Sequence, residues 1–228
     1  MQIRRRTFRK VLEVLAVEDY GTLLRLTLQK LTHPLFNVYH IFEADLLLES
    51  ARSQSAKPLP AGITIQLFYG QRGEHLAAKF SHAGVSPEVV EQRIERGDVA
   101  SVAFAGGDVA GYSWVTFKEA WIAELRGTLA LRSDEAVQFN TRVMPPWRGK
   151  GLQYALTMPL IQYLTQHDYR RMLGWVYALN ARSARNSAWP GKRVIATVVC
   201  FPILGIMHVR DRFPAVHVSI ERNQRKRS

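Results

Sequence analysis

Val143-Met144-Pro145-Pro146-Trp147-Arg148-Gly149-Lys150-Gly151 decides the reading of this chain. Ala136 to Met144, leading into it, reads as a strand. Gly149 to Gln166 reads as a helix with Leu152, Leu156, Leu160 and Leu164 on one face, bent or loosened at Pro159. The two glycines therefore fall at a strand-to-helix junction, where missing side chains let backbone N–H groups approach a phosphate. The helix N-terminus adds its dipole and unpaired donors, and Arg148 and Lys150 add full positive charge. The spacing is neither that of a P-loop nor that of the three-glycine dinucleotide fingerprint, which disfavours ATP and NAD.

Met172 to Ala178 reads as the next strand, followed by Asn180-Ala181-Arg182-Ser183-Ala184-Arg185-Asn186-Ser187-Ala188-Trp189-Pro190-Gly191, a short helix from Asn180 to Trp189. The first stretch, Val-x-Pro-x-aromatic-Arg-Gly-x-Gly, resembles the pyrophosphate-binding segment of the GNAT superfamily of acyl-CoA-dependent N-acyltransferases. Asn180, Ser183 and Gly191 resemble that family's next motif. The resemblance runs from Val109 to Gly191, extends back to Ile63, and does not reach the first sixty residues.

What the resemblance implies is an α/β (mixed α+β) fold, a twisted mixed sheet flanked by helices, with the cofactor between two strands that part near Val143 and Met172. It implies acetyl-CoA or another acyl-CoA as cofactor, bound by Val143, Arg148, Gly149, Lys150, Gly151, Leu152, Asn180 and Ser183. A primary amine, on a small molecule or a protein, would attack the thioester directly in a ternary complex, so catalysis is mainly positioning, oxyanion stabilisation and proton removal. Two positions depart from the family pattern: Gln153 stands where glycine or alanine is usual, and Ser187 falls at the frequent tyrosine acid, a far weaker proton donor than a phenol. Glu135 is the expected base, chosen from Glu119, Glu124, Asp134 and Glu135.

Working outward, Ile63 to Tyr69 alternates as a strand. Ser86, Pro87 and Gly97 frame a helix carrying Val89, Val90 and Ile94, and Ala100 to Phe104 and Val109 to Val115 form a hairpin. Tyr112 and Trp114 suit either an acceptor cleft or cross-strand packing. The run from Val194 to Val209 supplies the final strands. Before this core, Thr7 to Leu31 has a helical period broken at Gly21, Phe36 to Leu47 reads as a strand, and Glu49 to Gly62 reads as a linker. The division expected is an N-terminal extension, residues 1–60, and an acyltransferase domain, residues 61–228.

Hydrophobic residues make up 47% and charged residues 22% of the 228, as in folded globular domains. A formal charge of +12 draws acidic ligands or surfaces, yet no aromatic stripe interleaved with basic residues suggests a nucleic-acid groove. Arg4, Arg5, Arg6, Arg9 and Lys10, with Arg222, Arg225, Lys226 and Arg227, suit peripheral contact with an anionic membrane. The lone Cys200 sits in an apolar run as an inert core thiol, and seven histidines show no paired metal spacing. A cytoplasmic protein is expected, at most peripheral to the inner membrane surface. Besides an active enzyme, the sequence accommodates a catalytically weak acyl-CoA-binding module.

Overall fold

The computed structural model describes residues 35–48, 59–70, 76–80, 83–178, 180, 192–201, 204, 206–212 and 220–222. The helices expected between Thr7 and Leu31, most of the linker, and the Asn180 to Trp189 helix with Ser183, Ser187 and Gly191 lie outside these residues. Among the described residues, no helix is long and apolar enough to cross a membrane.

The strands are β1 (Asn37–Asp45), β2 (Ile63–Phe68), β3 (Val99–Ala105), β4 (Asp108–Thr116), β5 (Glu119–Ile122), β6 (Gly127–Ala130), β7 (Glu135–Val143), β8 (Arg171–Tyr177), β9 (Lys192–Phe201), β10 (Ile206–Asp211) and β11 (Ile220–Arg222). The helices are α1 (Leu76–Phe80), α2 (Pro87–Glu95) and α3 (Leu152–Gln166). Eight strands form one sheet in the order β10-β9-β1-β8-β7-β4-β3-β2, and β11-β6-β5 form a second. Every neighbouring pair in the large sheet is antiparallel except β7 and β8.

Most expected elements occur within a residue or two of their sequence bounds. Ser86 caps α2 ahead of Pro87, Gly97 follows it at φ 90°, and Gly106 and Gly107 turn the β3–β4 hairpin with positive φ. Pro159 lies inside α3 without ending it. The small sheet and α1 are absent from the sequence reading because four-residue strands and a five-residue helix carry too little periodicity.

β1, the strand expected within residues 1–60, lies inside the sheet, hydrogen-bonded to β8 on one edge and β9 on the other. Its close fit shows at Gly174 on β8, where an added Cβ would stand 2.4 Å from the Phe42 ring of β1.

Alternation along the strands gives the sheet two covered faces. On one, α3 packs through Leu160, Ile161 and Leu164 against Ala44, Val99, Val115, Ala136 and Met172. On the other, α1 and α2 cover Trp114, Tyr112 and Phe104, and the small sheet covers Tyr39, Ile41, Val137 and Leu173 through Ile122, Leu125 and Leu129. Tyr112 and Trp114 are therefore core residues: both are buried, with the Phe80 ring centroid 4.9 and 6.0 Å away. Cys200 is also buried.

Where β7 begins, Glu135 and Glu43 are buried carboxylates served by arginines. Arg171 lies 2.9 Å from Glu135 and 3.8 Å from Glu43, Arg193 donates to Glu43 at 2.6 Å, and the Arg132 N–H donates to Glu135 at 2.9 Å. Removing one partner strands a buried charge. Glu135→Gln is expected to lower stability by about 3 kcal/mol, read as a lower denaturant midpoint with unchanged slope.

The half-buried His40 ring lies 3.3 Å from Thr197 Oγ1, and burial, reinforced by Arg212, pushes its pKa down. The unfolded chain then binds the proton first as pH falls through about 6.5, so His40 contributes stability above that pH that is lost below it. Stability should fall as the pH drops below about 6.5, and more steeply in wild type than in His40→Gln.

Candidate functional site

β7 and β8 run parallel and pair only from Glu135–Arg171 to Val137–Leu173, after which they part. Met172 is thus inside the paired stretch opposite Ala136, and the parting lies beyond Leu173. From Gln138 onward β7 keeps β4 on one edge, while its other edge has no strand partner among the described residues. Its backbone donors and acceptors there face a cleft of about 630 Å³.

The cleft passes through the sheet. Its lining includes Gln138 and Gln153 from the α3 face, and Phe139, Trp121 and Glu124 from the face covered by α2 and the small sheet. On that second side it shares Arg93, Trp121, Phe139 and Trp175 with a smaller cavity of about 280 Å³. Two ligands approaching from opposite faces could therefore meet inside.

At the middle of β7 the ladder slips. Trp114 faces Phe139 and Tyr112 faces Arg142, so Asn140 and Thr141 oppose Ser113 alone, a β-bulge with Asn140 at φ 47°. Asn tolerates this conformation better than most residues. Thr141 Oγ1 lies 2.7 Å from Ser113 Oγ, and Gln138 Nε2 donates to Ser113 and to Thr157 of α3, both at 2.9 Å. Lys192 donates to Gln138 Oε1 at 3.4 Å. This network ties β4, β7, β9 and α3 beneath the cleft. On the other face, Arg93 holds the bulge: with the Asn140 amide oxygen turned toward it, both terminal guanidinium nitrogens donate at 2.9 Å.

β7 ends at Val143, and the prolines of the 3₁₀ turn Pro145–Trp147 cannot continue a ladder. Gly149 and Gly151 then take φ 77° and 76°, a left-handed geometry that glycine adopts without strain, and among the described residues no atom beyond the chain neighbours lies within 4 Å of where a Cβ would stand. Gly151 caps α3 with no side-chain hydrogen bond. The turn is thus open on its outer side and offers the leading N–H groups of α3. Lys150 lies 4.7 Å from the Trp147 ring centroid, and Arg148 Nε donates to the Val143 carbonyl at 3.2 Å.

Val143, Arg148, Gly149, Lys150, Gly151 and Leu152 are therefore brought together at one end of β7 and the start of α3. Asn180 lines the cleft from the β8 side, its N–H donating to the Tyr177 carbonyl at 2.9 Å. Glu135 is not brought there. It opens β7 eight residues before Val143, about 25 Å along a strand, and its carboxylate is held by Arg171. Glu124 lines the larger cleft, and Glu119 lines the smaller. Tyr39 lines the larger cleft too; burial, then the charge of Glu124, pushes its pKa up, so the phenol keeps its proton at neutral pH. Sequence reasoning missed Arg93, Tyr39 and the bulge; only Asn140, an unusual residue in a strand, signals the last.

This architecture is the GNAT fold. The chain aligns to a tandem GNAT protein from the clavulanic acid biosynthesis pathway with TM-score 0.55 and 18% identity, over 79% of this chain and 55% of that one. It spans little more than half the length of that protein. A GCN5-related N-acetyltransferase from Sphaerobacter thermophilus aligns with TM-score 0.43 and 16% identity, over 84% of this chain and 57% of the other. An aminoglycoside acetyltransferase from an uncultured soil metagenomic sample aligns with TM-score 0.42 and 11% identity, over 57% and 87%. No protein-family model and no curated protein matches the sequence.

Proposed function

We propose that this chain is an acyl-CoA-dependent N-acyltransferase that transfers acetyl from acetyl-CoA to a primary amine by direct attack in a ternary complex. The observation that carries the reading is the open glycine turn at Gly149 and Gly151, set where the unpaired edge of β7 meets the start of α3. That junction fits a pyrophosphate followed by an amide-bearing chain. The turn offers backbone donors and helix-end charge for the phosphates, and β7 offers strand-like pairing for the amides.

When bound, acetyl-CoA supplies an activated thioester. The residues of this chain then have distinct tasks. Arg148, Gly149, Lys150, Gly151 and Leu152 hold the diphosphate, with Asn180 on the opposite side of the cleft. The edge of β7 around Val143 aligns the donor, and the bulge at Asn140 and Thr141 interrupts the β4 ladder, releasing backbone polar groups where an oxyanion would need donors. Glu124, in place of Glu135, accepts the ammonium proton directly or through water, and Tyr39 serves as a protonated donor beside it. The same site would let the chain bind acyl-CoA without turnover, as a module, were the acceptor side lost.

Titration calorimetry tests the donor site. Acetyl-CoA should bind wild type saturably and should not bind Gly149→Glu, Gly151→Glu, because each carboxylate would occupy and repel the phosphate position. Failure of acetyl-CoA and longer acyl-CoAs to bind wild type overturns the reading. For the base, Glu124→Gln is expected to lower kcat about a hundredfold at neutral pH and leave acetyl-CoA affinity and stability unchanged. An unchanged rate removes Glu124 from the mechanism.

A further inference from the structure

We propose that the smaller cavity is a carboxylate-binding acceptor subsite built on Arg93, so that the amine substrate carries a carboxylate beside an apolar or aromatic body. This rests on the acyltransferase reading above and names the class of its acceptor.

Arg93 is the reason. Its guanidinium is half-buried between α2 and the sheet, 5.0 Å from the Trp114 ring centroid and 5.1 Å from that of Phe139. Its hydrogen-bond partner is a neutral amide, Asn140. Among the described residues it has no ion pair: the nearby buried carboxylate, Asp98, is taken by Arg96, which donates through Nε at 3.2 Å and also through Nη2. A partly desolvated cation whose nearest carboxylate is already engaged by Arg96 gains from an anionic partner; burial pushes the Arg93 pKa down, offset in part by the charge of Asp98. An arginine has five N–H donors and Asn140 uses two, so three remain for a ligand.

The walls agree. The smaller cavity is lined by Arg93, Arg96, Glu119, Trp121, Phe139 and Trp175 among others; with Arg96 paired to Asp98, Arg93 faces the space against Glu119, with aromatic faces between them. At about 280 Å³ it suits a small acid rather than a macromolecule. Arg93, Trp121, Phe139 and Trp175 also line the larger cleft, so a molecule seated there spans both spaces, its amine on the side of Glu124. A guanidinium pairs with a carboxylate through two parallel charge-assisted bonds, which a lysine cannot reproduce.

The test is calorimetric titration of N-acetyl-phenylalanine and of its carboxamide into wild type, Arg93→Lys and Arg93→Gln, with acetyl-CoA titrated in parallel and thermal melts confirming that each variant is folded. The expected result is at least about tenfold tighter binding of the carboxylate in wild type, reduced in Arg93→Lys and lost in Arg93→Gln, with carboxamide affinity little changed. Equal affinities in wild type, binding of neither probe, or a preference that survives in Arg93→Gln overturns the subsite. Should Arg93→Gln not fold, Arg93→Lys decides, an undiminished preference again overturning it. Acetyl-CoA binding without carboxylate preference would sink the subsite and leave the acyltransferase reading intact; the opposite pattern would sink that reading and keep the anion site.

Discussion

The parting of two parallel strands is the constraint on which the rest of this structure depends. A sheet interior normally satisfies its backbone polar groups strand to strand, and β7 and β8 give that up after three residue pairs. The edge of β7 released in this way offers main-chain groups to a ligand from the middle of the sheet. The covered faces, the glycine turn and the two cavities all take their positions from it.

Holding such an opening requires strength on either side of it. At the closed end, Arg171 and Arg193 bridge the buried carboxylates Glu135 and Glu43, fastening β7, β8, β1 and β9 together. At the open end, the Gln138, Ser113, Thr141 and Thr157 network pins the bulged strand to α3, while Arg93 pins it from the other face. Polar networks of this kind rigidify because breaking any one bond in a buried setting is expensive. β1, drawn in from before the linker, completes the sheet beyond β8, so that side of the cleft does not end in an exposed edge.

Much of the sheet and helices, and the glycine turn at the end of β7, could be read from the chain. Leu152, Leu156, Leu160 and Leu164 fixed the buried face of α3, and Gly149 with Gly151 marked a turn that needs positive φ. The acceptor end could not be read, because it is assembled from residues far apart in sequence. Arg93 looks like an ordinary helix arginine, Trp121 sits in a four-residue strand, and Tyr39 lies on a strand that the linker seemed to separate from the core. The place of Glu135 at the start of β7 was legible, but its register and ion pair with Arg171 were not.

Hydrogen–deuterium exchange with and without acetyl-CoA tests the central claim most directly, since it reads the backbone groups that the parting exposes. The account predicts slowed exchange confined to the β7 edge from Phe139 to Val143 and to the turn and first residues of α3, from Gly149 to Gln153. Protection centred elsewhere, or none at saturating acetyl-CoA, would contradict it.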